Sequence, residues 1–324
     1  MSTKFTLPLI DQSFVGRSSA SEKVDRSIDQ PFVGRHININ NGFLTAPEYA
    51  ESIGCHVFQI FLSVPRRISS KAKIKEELNE FGKDLIKRKL TMVVHGSYTI
   101  NLCHPTKSKK FISSVKSLVQ DLESIAHIGE KCLGVIIHMG KNLPENKLED
   151  HEAIDNYVAG LEKALSITPK TTKIILETGA SQGSEVGSSL DGLSEIYWKL
   201  QEQYRNRIGF CIDTCHIWAT GYDISSAIGV KKFFKEFDDK IGIDKITCFH
   251  LNDSKTNIES CVDRHADLGY GYIGNDGLKA VVLFAKKQEI PLIMETPLDA
   301  VNKKTNRDIT FEEELNKVKS WLKK

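Results

Sequence analysis

From residue 32 onward the chain keeps one rhythm: a short apolar run, then a longer stretch whose apolar residues recur every three or four positions. Candidate strands fall at 31–37 (PFVGRHI), 56–62 (HVFQIFL), 90–95 (LTMVVH), 133–138 (LGVIIH), 173–177 (KIILE), 207–213 (RIGFCID), 245–250 (KITCFH) and 291–295 (PLIME). Between them Phe111, Val115, Leu118, Leu122 and Ile125 keep helical spacing. So do Leu190, Leu193, Tyr197 and Leu200, and Phe311, Leu315, Val318 and Trp321 close the chain the same way. Gly129 stands where a C-cap would end the first of these helices. Strand–helix units in alternation predict a parallel sheet, and eight of them in a row predict an α/β (β/α)8 TIM barrel over 31–324. A doubly wound open sheet is the competing architecture. No GxGxxG follows the first strand, which counts against a dinucleotide-binding form of it.

Six of the eight candidate strands end on a residue type that binds metals: His95, His138, Glu177, Asp213, His250 and Glu295. Their intervals are 43, 39, 36, 37 and 45 residues, one strand–helix unit each. In such a barrel the C-terminal strand ends ring a single mouth, so the six side chains should converge there. A lone buried His or Glu is more often structural than functional, but packing gives no reason for six in register. His216, Asp263 and His265 add three ligand types in loops at the same mouth. Asp263 and His265 share a side in extended chain, with Arg264 facing elsewhere. Five His, two Asp and two Glu suit Zn²⁺, with Mn²⁺ or Fe²⁺ as alternatives. Nine donors are too many for one cation and natural for three. Four carboxylates against three divalent ions leave positive charge at the centre, so the expected substrate is an anion such as a phosphodiester.

Composition sets bounds on the rest. A net charge of +2 gives little general attraction for polyanions, so nucleic-acid binding would need a local basic or metal-rich surface. The seven cysteines are odd in number and form no CxxC pair, which argues against a zinc ribbon and points to a reducing, intracellular setting, cytoplasm or nucleus. No apolar run approaches the length of a membrane span, and the first thirty residues resemble neither a signal nor a transit peptide. Residues 1–30 read as a poorly ordered extension in which DQSFVGR (11–17) returns as DQPFVGR (29–35); a tail that docks on DNA or a partner is the alternative.

Three stretches carry a family resemblance: HGSYTINL (95–102), IGFCIDTCH (208–216) and FHLNDSK…VDRHADLGYG (249–271). Across 33–324 the chain resembles the endonuclease IV family of abasic-site DNA repair nucleases. The resemblance implies a trinuclear zinc site. His95, His138 and Glu177 would hold one zinc; Glu177 would bridge to a second, shared with Asp213, His250 and Glu295. His216, Asp263 and His265 would hold the third. It also implies hydrolysis of the phosphodiester 5′ to an abasic site in double-stranded DNA, leaving a 3′-hydroxyl, with trimming of blocked 3′ ends. The nucleophile would be a hydroxide bridging two metals, oriented by Glu177 and Glu295, and the enzyme would act as a monomer.

Arg66 and Tyr98 match the family's residues that insert at the lesion, against readings as a solvated cation and as packing under a loop. Thr99 and Arg67 depart from the pattern beside them and predict a less apolar, more cationic wedge. Glu259 stands where glycine is usual. Lys255 and Arg264 are candidate phosphate contacts. The LGYGYIG run (268–274) offers backbone amides to DNA, makes a tight turn, or does both. Cys211 and Cys215 read as small buried residues, His56, His127 and His151 have no partners in register, and His36 and His104 read as hydrogen-bonding supports. The rival function is a metal-dependent sugar isomerase or epimerase on the same barrel, which would use Glu177, Asp213, His250 and Glu295 but has no need of the other five ligands. A non-catalytic DNA-binding module is a third class, separable by an abasic oligonucleotide left uncut.

Overall fold

The computed structural model describes residues 32–39, 42–62, 75–297, 301–302 and 305–323. The 1–30 extension, with the first copy of its echo, and Arg66 and Arg67 lie outside the described residues, while the second copy runs into the first strand. Each candidate run carries one strand, trimmed or shifted by a residue or two at its ends. The strands are β1 (Val33–His36), β2 (Val57–Ile60), β3 (Thr91–His95), β4 (Cys132–Ile137), β5 (Ile174–Glu177), β6 (Ile208–Asp213), β7 (Ile246–His250) and β8 (Leu292–Met294). Neighbours pair in parallel in chain order, and β8 pairs β1, closing the barrel. A Cβ on Gly34 would lie 1.5 Å from the Val57 carbonyl oxygen, so only glycine lets β1 and β2 approach as they do.

Alternation along the strands separates two cores. Outward-facing residues such as Phe58, Met92, Leu176, Phe210 and Phe249 pack under the helices, against Phe81 and Leu85 of α1 (Lys75–Arg88) and Leu118 and Leu122 of α2 (Lys109–Ile128) among others. Full burial of each such side chain contributes about 1.5–3 kcal/mol. The periodic residues foreseen on the Phe111 to Ile125 face are all buried, and Gly129 ends α2 with a φ of 89°. The closing helix runs Phe311–Leu322. Among the described residues no helix is long and apolar enough to cross a membrane.

The second core lies inside the barrel. Val57, Val93, Ile136, Ile175, Cys211, Cys248 and Ile293 form a fully buried apolar floor, one residue from each of β2 to β8. Residues i and i+2 of a strand share a side. Two positions above that floor the sequence reads Gln59, His95, His138, Glu177, Asp213, His250 and Glu295. β1 completes the layer with Gly34 below and His36 above. The period of two thus converts a hydrophobic plug into the base of a polar ring.

Candidate metal centre at the barrel mouth

The nine ligand types singled out in the sequence meet at this mouth. Their donor atoms form overlapping sets in which all members lie within 4.8 Å of one another: His95, His138 and Glu177; Glu177, Asp213, His250 and Glu295; His216, Asp263 and His265. Glu177 is common to the first two. Its Oε2 faces His95 Nε2 at 3.4 Å and His138 Nδ1 at 3.5 Å, while its Oε1 faces His250 Nδ1 at 2.8 Å. Glu295 Oε2 reaches the same His250 nitrogen at 3.1 Å. In the third set Asp263 lies 3.3 Å from His216 Nε2 and 3.1 Å from His265 Nε2. A further set, Asp213, Cys215 and His265, brings in a thiol that burial pushes up to about 12.

Backbone carbonyls fix which imidazole nitrogen looks inward. His95 Nδ1 lies 2.8 Å from Gly96 O, His216 Nδ1 2.7 Å from Thr178 O and His265 Nδ1 3.2 Å from Glu295 O. A carbonyl only accepts, so each Nδ1 carries the proton and each Nε2 is turned toward the carboxylates. His250 is reversed: its Nε2 lies 2.8 Å from Gln59 Oε1, leaving Nδ1 to the centre. The Gln59 amide also donates to Glu295 Oε1 at 2.6 Å and lies 3.0 Å from His36 Nδ1. Such outer partners orient metal ligands and set their basicity. On the far side Asp213 Oδ1 caps the helix Thr214–Ala219 by accepting the His216 amide, and Asn252 donates to Asp213 Oδ2 at 2.8 Å.

The residues present fit a cluster of cations. His138 Nε2, Glu177 Oε2, His216 Nε2 and His265 Nε2 are buried and have no hydrogen-bond partner within the described chain. Leaving buried polar atoms unpaired is costly unless something else satisfies them. Burial alone would make His250 neutral, but Glu295, Glu177 and Asp213 outweigh it and hold it up at about 10. His265 is held at about 9 against burial by Asp213 and Asp263, and His216 rises well above its ordinary range mainly through Asp213. Glu177, despite desolvation, is held well below the carboxylate range by His138 and His250. His138 itself is lowered to about 4 by burial, so this pair is one coupled unit with the acid ionised and the imidazole neutral.

The remaining predicted residues lie around the rim. Tyr98 is half exposed, with its ring 5.3 Å from that of His95 and 5.2 Å from that of His138, and Ser97 and Thr99 share a hydroxyl contact of 2.8 Å beneath it. A cavity of about 530 Å³ opens beside the ring, lined by Tyr98, His138, Lys141, His216, Asp263 and Arg264 among others. Lys255 and Arg264 are exposed, and the Lys255 amide bonds the Arg264 carbonyl at 2.8 Å. Glu259 adopts φ 61°, the left-handed conformation that glycine suits. Cys211 and Cys215 are both fully buried.

Two residues escape or are undervalued by sequence reasoning. Gln59 is not a ligand type and sits inside a run that continues to Leu62, yet it lies two positions past Val57, the same offset that separates every strand-end ligand from the floor. Asp253 reads in the sequence as part of FHLNDSK and nothing more. Fully buried, its carboxylate accepts the amides of Ser254 (2.8 Å), Gly269 (3.0 Å), Gly271 (2.9 Å), Ile273 (3.0 Å) and Gly274 (3.3 Å). The LGYGYIG amides are therefore spent internally, four on Asp253 and those of Leu268, Tyr270 and Tyr272 on Glu314, Asp267 O and Ser254 O. The turn reading of that run is borne out by these bonds.

Comparison with known proteins follows the same outline. A family model described as a xylose isomerase-like TIM barrel matches residues 47–324. A relative from Acanthamoeba polyphaga mimivirus that carries the name putative endonuclease 4 is 68% identical over 291 residues, covering 90% of this chain and 93% of its own. The chain belongs to the endonuclease IV family. It is accordingly a hydrolase that cleaves DNA. The apurinic-apyrimidinic endonuclease 1 of Saccharomyces cerevisiae is 36% identical over 271 residues, 82% of this chain and 71% of that one. The crystal structure of endonuclease IV from Thermus thermophilus superposes with a TM-score of 0.73 at 29% identity, over 90% of this chain and 99% of that one. Sugar epimerases share the barrel at 12% and 17% identity, a likeness of fold alone.

Proposed function

We propose that this endonuclease IV family member is an AP endonuclease of base excision repair, hydrolysing the phosphodiester 5′ to an abasic site to leave a 3′-hydroxyl and trimming blocked 3′ ends. Three divalent cations, zinc foremost, would be held by His95, His138 and Glu177, by Glu177, Asp213, His250 and Glu295, and by His216, Asp263 and His265. The observation that carries the reading is the sharing of Glu177 between two donor sets, with the third set alongside at one cavity. A sugar isomerase leaves His95, His138 and the 263–265 pair without a role.

Bound there, such cations acidify water and neutralise the phosphate as charge builds on it. The chain's own groups do the positioning. Glu177 and Glu295 converge on one nitrogen of His250, so a water between them would be oriented by both carboxylates, with Gln59 fixing the second. The apolar floor keeps bulk water from reaching the site from below. Tyr98, Thr99, Arg66 and Arg67 would enter the minor groove at the lesion, and Lys255 and Arg264 would hold flanking phosphates. Residues 31–324 would form the catalytic unit, a monomer working inside the cell, with 1–30 as an appended extension.

The test is a duplex carrying one abasic site, incubated with zinc-loaded protein before and after chelation, with metals counted by elemental analysis. Incision leaving a 3′-hydroxyl, lost on chelation and restored by zinc near three per chain, is the expected result. An uncut abasic duplex with the metals in place would end the reading.

A further inference from the structure

The loop that carries His265 presents two tyrosines two positions apart, and they differ in surroundings. Tyr270 is half buried, with Lys317 Nζ 4.5 Å from its ring centroid. Tyr272 is 56% exposed, and its side chain makes no hydrogen bond or ring contact among the described residues. An exposed aromatic on a mobile loop would mean little, because ordering it on binding costs entropy. The backbone that carries this one is tethered. The amides on either side of it, Gly271 and Ile273, both donate to the buried Asp253 carboxylate, and its own amide donates to Ser254 O at 2.9 Å. A Cβ on Gly271 would lie 2.3 Å from Asp253 Oδ1, so the chain is pressed against that anion as closely as glycine permits.

The same backbone ties Tyr272 to the centre. Ser254 pairs with His265 in a short antiparallel ladder and with Tyr272 on its other edge. Tyr272 therefore lies two strand spacings, about 10 Å, from a candidate metal ligand on the rim of the mouth. Exposed Lys255 follows Ser254 directly.

We propose that Tyr272 is a nucleic-acid contact of the endonuclease, its exposed ring, carried on a tethered backbone, packing against a nucleotide of the strand that flanks the bond to be cut. This rests on the proposed abasic-site activity. Base–aromatic stacking is tolerant of sequence and needs a ring face, not a hydroxyl. Tyr272→Ala should therefore raise KM for an abasic duplex about tenfold, with kcat and metal content near wild type, whereas Tyr272→Phe should stay within about twofold. An exposed position tolerates both changes without loss of fold. A KM for Tyr272→Ala indistinguishable from wild type would overturn the contact, as would a loss confined to kcat or accompanied by loss of metal. Wild-type protein that leaves the abasic duplex intact overturns the activity itself, and is told apart because no variant is needed to see it.

Discussion

Two sets of buried carboxylates lie in and around this mouth and are satisfied in opposite ways. Asp253 accepts backbone amides on both oxygens, and Glu314 accepts the Leu268 amide and the Thr296 hydroxyl at 2.9 and 2.5 Å. Glu177 and Glu295 instead face imidazoles, and Glu177 Oε2 has no hydrogen-bond partner among the described residues. Acids saturated by neutral donors lock a loop and belong to folding. Acids left facing other ionisable groups are incomplete without a further positive charge and belong to chemistry. The contrast predicts that mutations in the two sets separate activity from stability.

The largest effect is expected at Glu177. Glu177→Gln keeps the shape and removes the charge shared by two donor sets, so abasic incision should fall by about a thousandfold or more. Elemental analysis should show at least one metal fewer per chain. Full activity in this variant would abolish the distinction drawn above. Asp253→Asn tests the other side. One acceptor oxygen and the charge are lost beneath five amides, and the chain should lose about 2–3 kcal/mol of stability in urea titrations. Unchanged stability would mean that the 269–274 loop holds its shape without the anion.

Gln59 stands with the ionisable set although it belongs to none of the donor groups. Gln59→Leu removes the acceptor that keeps the His250 proton on Nε2 and the donor to Glu295, so metal affinity should weaken by about 10–100-fold, read by competition with a chelating dye. An affinity equal to that of the wild type would show that packing alone orients His250.

How far the sequence reveals these sites follows from the physics of each. Strand ends carrying His, Glu or Asp are legible because such residues are rarely buried without cause, and the barrel's geometry dictates where they meet. Gln59 and His36 complete the same layer but are harder to see: an amide is an ordinary residue, and His36 alone gives no sign of register. The offset of two from Val57 finds Gln59 once the floor is recognised. Asp253 is illegible for a different reason. Most of its partners are backbone amides 16 to 21 residues further along the chain. A glycine-spaced run such as Gly269, Gly271 and Gly274 looks the same whether its amides await a phosphate or already hold a carboxylate.

Glu314 gives a pH-dependent test on the saturated side. Burial raises its carboxyl from the ordinary 4.5 to about 7, against the hydrogen bonds from Thr296 and Leu268. Between those two values the folded chain holds more protons than the unfolded one, so the stability it contributes is complete below 4.5 and lost as the pH rises through 7. The wild type should lose about 2 kcal/mol from this group between about pH 5 and pH 8, and Glu314→Gln should flatten that part of the profile. Parallel profiles for the two proteins would place the titration elsewhere.

The smallest effect concerns backbone alone. Glu259 and Cys261 hold φ of 61° and 52° in the loop that leads from the ladder to Asp263, with their amides bonded to Trp218 O and Ala219 O. A non-glycine residue in that conformation is destabilised by about 1–2 kcal/mol, and the two backbone bonds keep it there. Glu259→Gly removes the steric term but frees the unfolded chain, so the net gain should be about 1 kcal/mol or less. Incision should be unaffected, since the loop shape that brings Asp263 to His216 is already present. A fall in activity with rising stability would instead give the Glu259 carboxylate a part in the mouth's electrostatics, and so move it from the folding set to the chemical one.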